Sequence, residues 1–176
     1  RCVTARARLL ELLRRDACRR GTFTLASGRT SDFFIDCKQV LLSAEGHALA
    51  GQLFCDAVDA LRVRDAVPVR AVAGVALGGC PIASAVSVLS FQRGAPYDAL
   101  YVRKEAKDHG TKKLVEGLVP AGSCVVLLED VLTSGGSSLA AVGAGATGGC
   151  PEGSPVASTG VLTPVPLAPP PPPPRP

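Results

Sequence analysis

Methionine and tryptophan are absent from the 176 residues, and aromatic residues make up only 4%. Any core must then be built from aliphatic side chains and cysteine rather than from large rings. No apolar run approaches the ~18 residues that a membrane span needs. No basic stretch followed by an apolar core and a small-residue cleavage site marks a secretory signal. No CxxC pair occurs, so neither a zinc site nor a redox dithiol is indicated. The seven cysteines, Cys2, Cys18, Cys37, Cys55, Cys80, Cys124 and Cys150, are widely spaced. They read as reduced, mostly buried thiols, and the expected compartment is the cytoplasm. A strong charge of one sign is missing too. The net charge of +4 is too mild for a nucleic-acid partner and sufficient for a positive cleft that takes a small polyanion. The chain starts at Arg1 rather than Met and reads as a fragment or a processed product.

What is present is enough for one domain with a real core. Hydrophobic residues make up 47% and charged residues 19%, which excludes disorder of the whole chain. A chain of ~150 residues hides roughly 70% of its unfolded surface without staples. The composition changes near residue 143. Gly143, Gly145, Gly148 and Gly149 come first, then nine prolines between Pro164 and Pro176, six of them consecutive. Residues 143–176 are expected to be a disordered or polyproline II low-complexity tail, either a mis-spliced or frame-shifted end or a proline-rich ligand. Residues 1–142 are the expected domain, incomplete at its C-terminal end.

Within that domain apolar periods alternate. Ala5 to Cys18 has helical spacing, with Leu9, Leu10, Leu12 and Leu13 set among arginines. Phe23 to Gln39 holds short strand-like pieces, and Ala44 to Arg62 is a second helix. Val69 to Leu77 suits a buried strand, Gly78-Gly79 breaks it, and Pro81 to Ser90 resumes as helix. Tyr97 to Val102 and Cys124 to Leu128 are further strands, and Ser137 to Val142 opens a helix. Strands alternating with helices imply an α/β fold with a parallel sheet.

The most informative stretch runs from Val125 through Glu129-Asp130-Val131-Leu132-Thr133-Ser134-Gly135-Gly136-Ser137. An apolar strand delivers two adjacent carboxylates, then a small polar loop, then a helix. Small residues let backbone N–H groups wrap a phosphate, and a helix start adds unpaired donors and partial positive charge. Carboxylates would repel that phosphate but suit the vicinal hydroxyls of a ribose. Together these features describe a cradle for ribose 5-phosphate. The lysine of GxxxxGK[ST] is missing, so this is not the loop of nucleotide triphosphatases. Taken alone, the stretch is also compatible with an ordinary strand–turn–helix and a capping serine.

This stretch resembles the phosphoribosyl diphosphate (PRPP) motif of type I phosphoribosyltransferases. Phe23 to Asp36, with Ser27-Gly28-Arg29, resembles the N-terminal segment of orotate phosphoribosyltransferases. Arg103-Lys104-Glu105-Ala106-Lys107-Asp108-His109-Gly110-Thr111 resembles their mobile catalytic loop. Gly74 to Ala83 resembles the strand–loop–helix that receives diphosphate. The resemblance implies a central parallel sheet flanked by helices, with a small N-terminal hood. It implies joining of orotate to PRPP, with release of diphosphate and formation of orotidine 5′-monophosphate. Mg²⁺ would be carried on PRPP itself, with no protein metal site.

The resemblance also implies roles for residues. Glu129 and Asp130 would hold the ribose hydroxyls, and Val131, Leu132, Thr133, Ser134, Gly135, Gly136 and Ser137 the 5′-phosphate. Thr133 would touch orotate as well. Arg103, Lys104, Lys107 and His109 would meet the diphosphate, with Lys104, Lys107 and His109 catalytic. A homodimer would let Lys104 or Lys107 act in trans, and no nucleic acid or membrane enters. Without the other motifs, Arg103 to Lys113 is a plain solvated loop. Three departures stand against the family pattern. Many relatives carry lysine where Ala26 stands, and some carry Tyr-Lys where Leu77-Gly78 stands, while others share a Leu-Gly version. No Asp-Arg follows the PRPP helix, and that arginine would bind the orotate carboxylate. A catalytically impaired PRPP-binding relative or truncated gene product is therefore the alternative to an active enzyme. A purine transferase is a third reading, opposed by Arg29 to Asp36 and by the Lys104 to His109 loop.

Overall fold

The computed structural model describes residues 3–24, 28, 30–66, 68–103, 114–118, 120 and 123–132. Chain order begins with α1 (Ala5–Leu12), which Thr4 caps by accepting a hydrogen bond from the Ala7 amide at 3.2 Å. One π-helical turn, Leu13–Ala17, follows and gives way to strand β1 (Cys18–Thr24). The amphipathic spacing had suggested a helix up to Cys18. The wide turn absorbs the last of it, burying Leu13 and Ala17. β1 pairs antiparallel with β2 (Thr30–Ile35), forming a two-stranded unit apart from the main sheet. This is the small N-terminal hood that the resemblance implied.

A short helix α2 (Lys38–Leu41) leads into the long helix α3 (Ala44–Arg64). Ser43 joins the two, donating to the Val40 carbonyl at 2.8 Å and accepting from the Gly46 amide at 3.1 Å. Strand β3 (Val69–Val75), helix α4 (Gly79–Gln92) and strand β4 (Asp98–Val102) form a right-sized β-α-β unit. Strands β5 (Val115–Glu116) and β6 (Cys124–Leu128) complete the described elements.

The main sheet has the order β5-β4-β3-β6. β3 runs parallel to both β4 and β6, and β5 is an antiparallel edge. Alternation along the strands sends Val72, Val126 and Leu128 into one cluster with Leu9, Leu12, Val40, Phe54, Val58, Ile82 and Val86 from the helices. Ala71, Ala73, Val75, Leu100, Val102 and Leu127 form a second cluster on the opposite face. A sheet buried on both faces explains why these strands read as continuous apolar runs. The first cluster ends in a polar tie. Tyr97, 2% exposed, donates its hydroxyl to Asp59 at 2.5 Å, and Arg93 bonds Asp56 at 2.7 Å. Burial, reinforced by that hydrogen bond to Asp59, pushes the Tyr97 phenol up to about 12.

Among the described residues, no helix is long and apolar enough to cross a membrane. The expected division at residue 142 and the tail beyond it lie outside the described residues.

Candidate active site

Because β3, β4 and β6 are parallel, their carboxyl ends share one edge of the sheet. The chain steps from β3 to β4 on one side, while β6 lies on the other side of β3. The strand order therefore reverses between β3 and β6. Open α/β sheets bind their ligands outside the carboxyl ends of the strands at such a point.

Two turns meet there. The first, Ala76-Leu77-Gly78, joins β3 to α4, and its Ala76–Leu77 peptide is cis. The Ala76 amide donates to the Val102 carbonyl at 2.8 Å, anchoring the turn to the end of β4. Glycine lets it fold tightly onto the strands. A Cβ on Gly74 would run into the Gly79 backbone, and one on Gly79 would come within 2.5 Å of the Leu128 carbonyl oxygen. Leu77 points outward, 72% exposed.

The second turn leaves β6 at Leu128. Glu129 is buried, at 8% exposure, Asp130 is half-buried, and Val131 and Leu132 are exposed. The Asp130 carboxyl packs directly on Gly78, the N-cap residue of α4, so closely that a Cβ there would overlap it. One of the two acids expected to hold the ribose hydroxyls and the turn expected to receive diphosphate are thus adjacent. That adjacency puts hydroxyl-accepting oxygens beside the donor end of a helix, the arrangement a sugar carrying phosphates requires.

Asp130 also faces α2. Burial pushes the Cys37 thiol up to about 11, and the negative charges of Asp130 and Asp36 push in the same direction. The Lys38 ammonium is raised by its hydrogen bond to Asp36, with a smaller contribution from Asp130. Lys38 Nζ lies 2.6 Å from Asp36 Oδ1, and Gln39 Nε2 lies 3.1 Å from Asp36 Oδ2. Hydrogen bonds from Lys38 and Gln39 hold the Asp36 carboxyl below its ordinary value. Lys38 and Cys37 were not among the candidates drawn from sequence. The Asp36-x-Lys38 pair of opposite charges was the available signal.

Arg103 stands just past the carboxyl end of β4, on the same edge. Its guanidinium bonds Glu116 at 2.9 Å, and its amide donates to the Leu114 carbonyl at 2.8 Å. That backbone bond pins together the two ends of the segment 104–113. Lys104, Lys107 and His109 fall in that segment, outside the described residues. Thr133, Ser134, Gly135, Gly136 and Ser137 also lie outside them.

No family model matches the chain. Individual relatives do. Orotate phosphoribosyltransferase of Sorangium cellulosum (strain So ce56) is 58% identical over 143 residues, covering 80% of this chain and 71% of the relative. The enzyme of that name from Thermosynechococcus vestitus is 51% identical, covering 78% and 70%. The chain belongs to the orotate phosphoribosyltransferase family. The fold agrees. The crystal structure of Mycobacterium tuberculosis H37Rv orotate phosphoribosyltransferase in complex with PRPP matches with a TM-score of 0.61 and 34% identity. That match covers 84% of this chain and 78% of the other. In this family member, the edge with Gly78, Arg103, Glu129 and Asp130 is the candidate active site.

Proposed function

We propose that this orotate phosphoribosyltransferase joins N1 of orotate to C1 of PRPP, releasing diphosphate and giving orotidine 5′-monophosphate on the route to UMP. The observation that carries this reading is the contact of Asp130 with the Gly78 turn at the point where the strand order reverses. Glu129 and Asp130 accept hydrogen bonds from the ribose hydroxyls. The backbone from Val131 to Ser137 donates to the 5′-phosphate, and Thr133 also reaches orotate.

Bond breaking at C1 leaves cationic character on the ribose and adds negative charge to the departing diphosphate. Donors placed where that charge grows lower the barrier most. Lys104, Lys107 and His109 are the catalytic donors, with Arg103 at the base of their segment. Closure of 104–113 excludes water that would otherwise hydrolyse PRPP. Carboxylate oxygen is a donor Mg²⁺ favours, so Asp130 fits an ion arriving on PRPP. When bound, that ion neutralises charge on the leaving diphosphate. The chain works as a cytoplasmic homodimer in which Lys104 or Lys107 serves the neighbouring subunit's site.

Initial rates with saturating PRPP and Mg²⁺, using orotate, adenine or hypoxanthine in turn, test this. Product is expected with orotate alone, and calorimetry should register PRPP binding without any base. PRPP binding with no turnover on any base would mark an impaired relative. Turnover on a purine would move the chain to another type I transferase.

A further inference from the structure

We infer that Glu116 is a positioning residue for the transfer: it holds the Arg103 guanidinium in place at the carboxyl end of β4, where that guanidinium meets the diphosphate. The inference rests on the reading of Arg103 as a diphosphate ligand and adds a residue that acts through it.

The edge of the sheet is built so that Glu116 reaches Arg103. The two residues of β5 pair antiparallel with the end of β4, Tyr101 with Glu116 and Val102 with Val115. The bond from the Arg103 amide to the Leu114 carbonyl, at 2.8 Å, extends the ladder by one step. Side chains alternate along such a ladder. Val102 and Val115 therefore share one face, where both join the second cluster. Arg103 and Glu116 fall on the opposite face as a diagonal pair, a spacing that long side chains span. Arg103 Nε donates to Glu116 Oε1 at 2.9 Å. The turn that follows fixes the acid from behind. Gly117 has a φ of +112°, and a Cβ there would come within 2.7 Å of Leu100 Cδ2 and 3.0 Å of the Ala99 carbonyl oxygen. Glycine at 117 thus lets the chain leave β5 hard against β4.

The pair contributes little to folding. The Arg103 and Glu116 side chains are 40% and 38% exposed, and ion pairs so open to water add little stability. What the bond does is orient. An unheld arginine samples many rotamers and loses them when it binds an anion. Held by Glu116, Arg103 has lost that freedom before substrate arrives. A guanidinium carries five N–H donors in a rigid fork, so an acceptor at Nε fixes its plane while a diphosphate uses another edge. Glu116→Ala should therefore weaken PRPP binding by about three- to tenfold, the cost of ordering one such side chain. Glu116→Gln keeps an acceptor oxygen and should lose less.

Five proteins test the idea: wild type, Glu116→Ala, Glu116→Gln, Arg103→Ala and Arg103→Ala/Glu116→Ala, each titrated with PRPP and Mg²⁺ by calorimetry. Glu116→Ala should weaken binding in the wild-type background and change it less than about twofold beside Arg103→Ala. The Arg103 ¹⁵Nε–¹H signal should exchange slowly with water in wild type and stay protected when PRPP is added. In Glu116→Ala it should exchange fast, while the melting temperature stays near that of wild type. Equal weakening in both backgrounds, tighter binding in Glu116→Ala, or loss of the protected signal when PRPP binds to wild type would overturn the inference. The wild-type signal decides alone should Glu116→Ala not fold. Unchanged affinity in Arg103→Ala would reject Arg103 as a diphosphate ligand, and the inference with it. Affinity lost in Arg103→Ala but kept in Glu116→Ala would overturn the inference alone.

Discussion

Changing Glu129 and Asp130 together to alanine should weaken PRPP binding by a hundredfold or more. Each carboxylate is expected to accept a charge-assisted hydrogen bond from a ribose hydroxyl, worth roughly 1.5–3 kcal/mol. Two such bonds amount to about 3–6 kcal/mol, or roughly two to four decades in Kd. The two positions differ in how safely they can be altered. Asp130 is half-buried, while Glu129 is buried at 8% exposure, so its truncation also disturbs packing at the end of β6. The isosteric pair Glu129→Gln and Asp130→Asn separates these effects, because it keeps volume and removes charge. Calorimetry on both double variants, with circular dichroism to verify folding, gives the comparison. A folded double variant with wild-type affinity would remove these acids from the ribose site.

Lys107→Ala should lower kcat by about 10²–10³ while changing KM for PRPP far less. That magnitude is typical for removing one preorganised donor to a developing anion. The asymmetry follows because the diphosphate gains charge chiefly in the transition state, so a lost cation hurts turnover more than binding. The pinning of Arg103 to Leu114 keeps the segment's base in place, so the substitution should act on chemistry and not on the fold. Mixing Lys107→Ala subunits with Asp130→Ala subunits should restore part of the activity, since one site of each mixed dimer would then be intact. Steady-state rates before and after subunit exchange measure this. Absence of recovery in mixtures shown to exchange would count against action in trans.

The sheet was legible in the sequence because its strands are buried on both sides. Val69 to Val75 and Cys124 to Leu128 are apolar at nearly every position, and the two pair as parallel strands of the main sheet. The paired hood strand β1 was not legible. Cys18–Thr24 contains Arg19, Arg20 and Gly21 and is largely exposed on both faces, so no alternation marks it. The leucine spacing of α1 ran on into Leu13 and hid the change from helix to strand. The start of α4 at Gly79 rather than Pro81 is a matter of turn geometry. Glycines that look like breakers here let the helix begin against the strand ends.

In the site, the adjacent acids after a buried strand announced themselves. The fit of Asp130 onto Gly78 did not, since it joins residues distant in the chain through sheet topology. The same holds for Cys37 and Lys38, which face Asp130 only once the hood and α2 have packed. At Leu77-Gly78 some relatives carry Tyr-Lys and others a Leu-Gly pair; in the structure the Asp130 carboxyl packs on Gly78.

Amide hydrogen exchange with and without PRPP and Mg²⁺ tests most directly whether the substrate sits at the carboxyl ends of β3 and β6. Protection should appear in residues 76–80 and 129–137, with the β1–β2 hairpin and the C-terminal half of α3 changing little. Protection confined to the hairpin or to α3, with residues 76–80 and 129–137 exchanging as before, would contradict that placement.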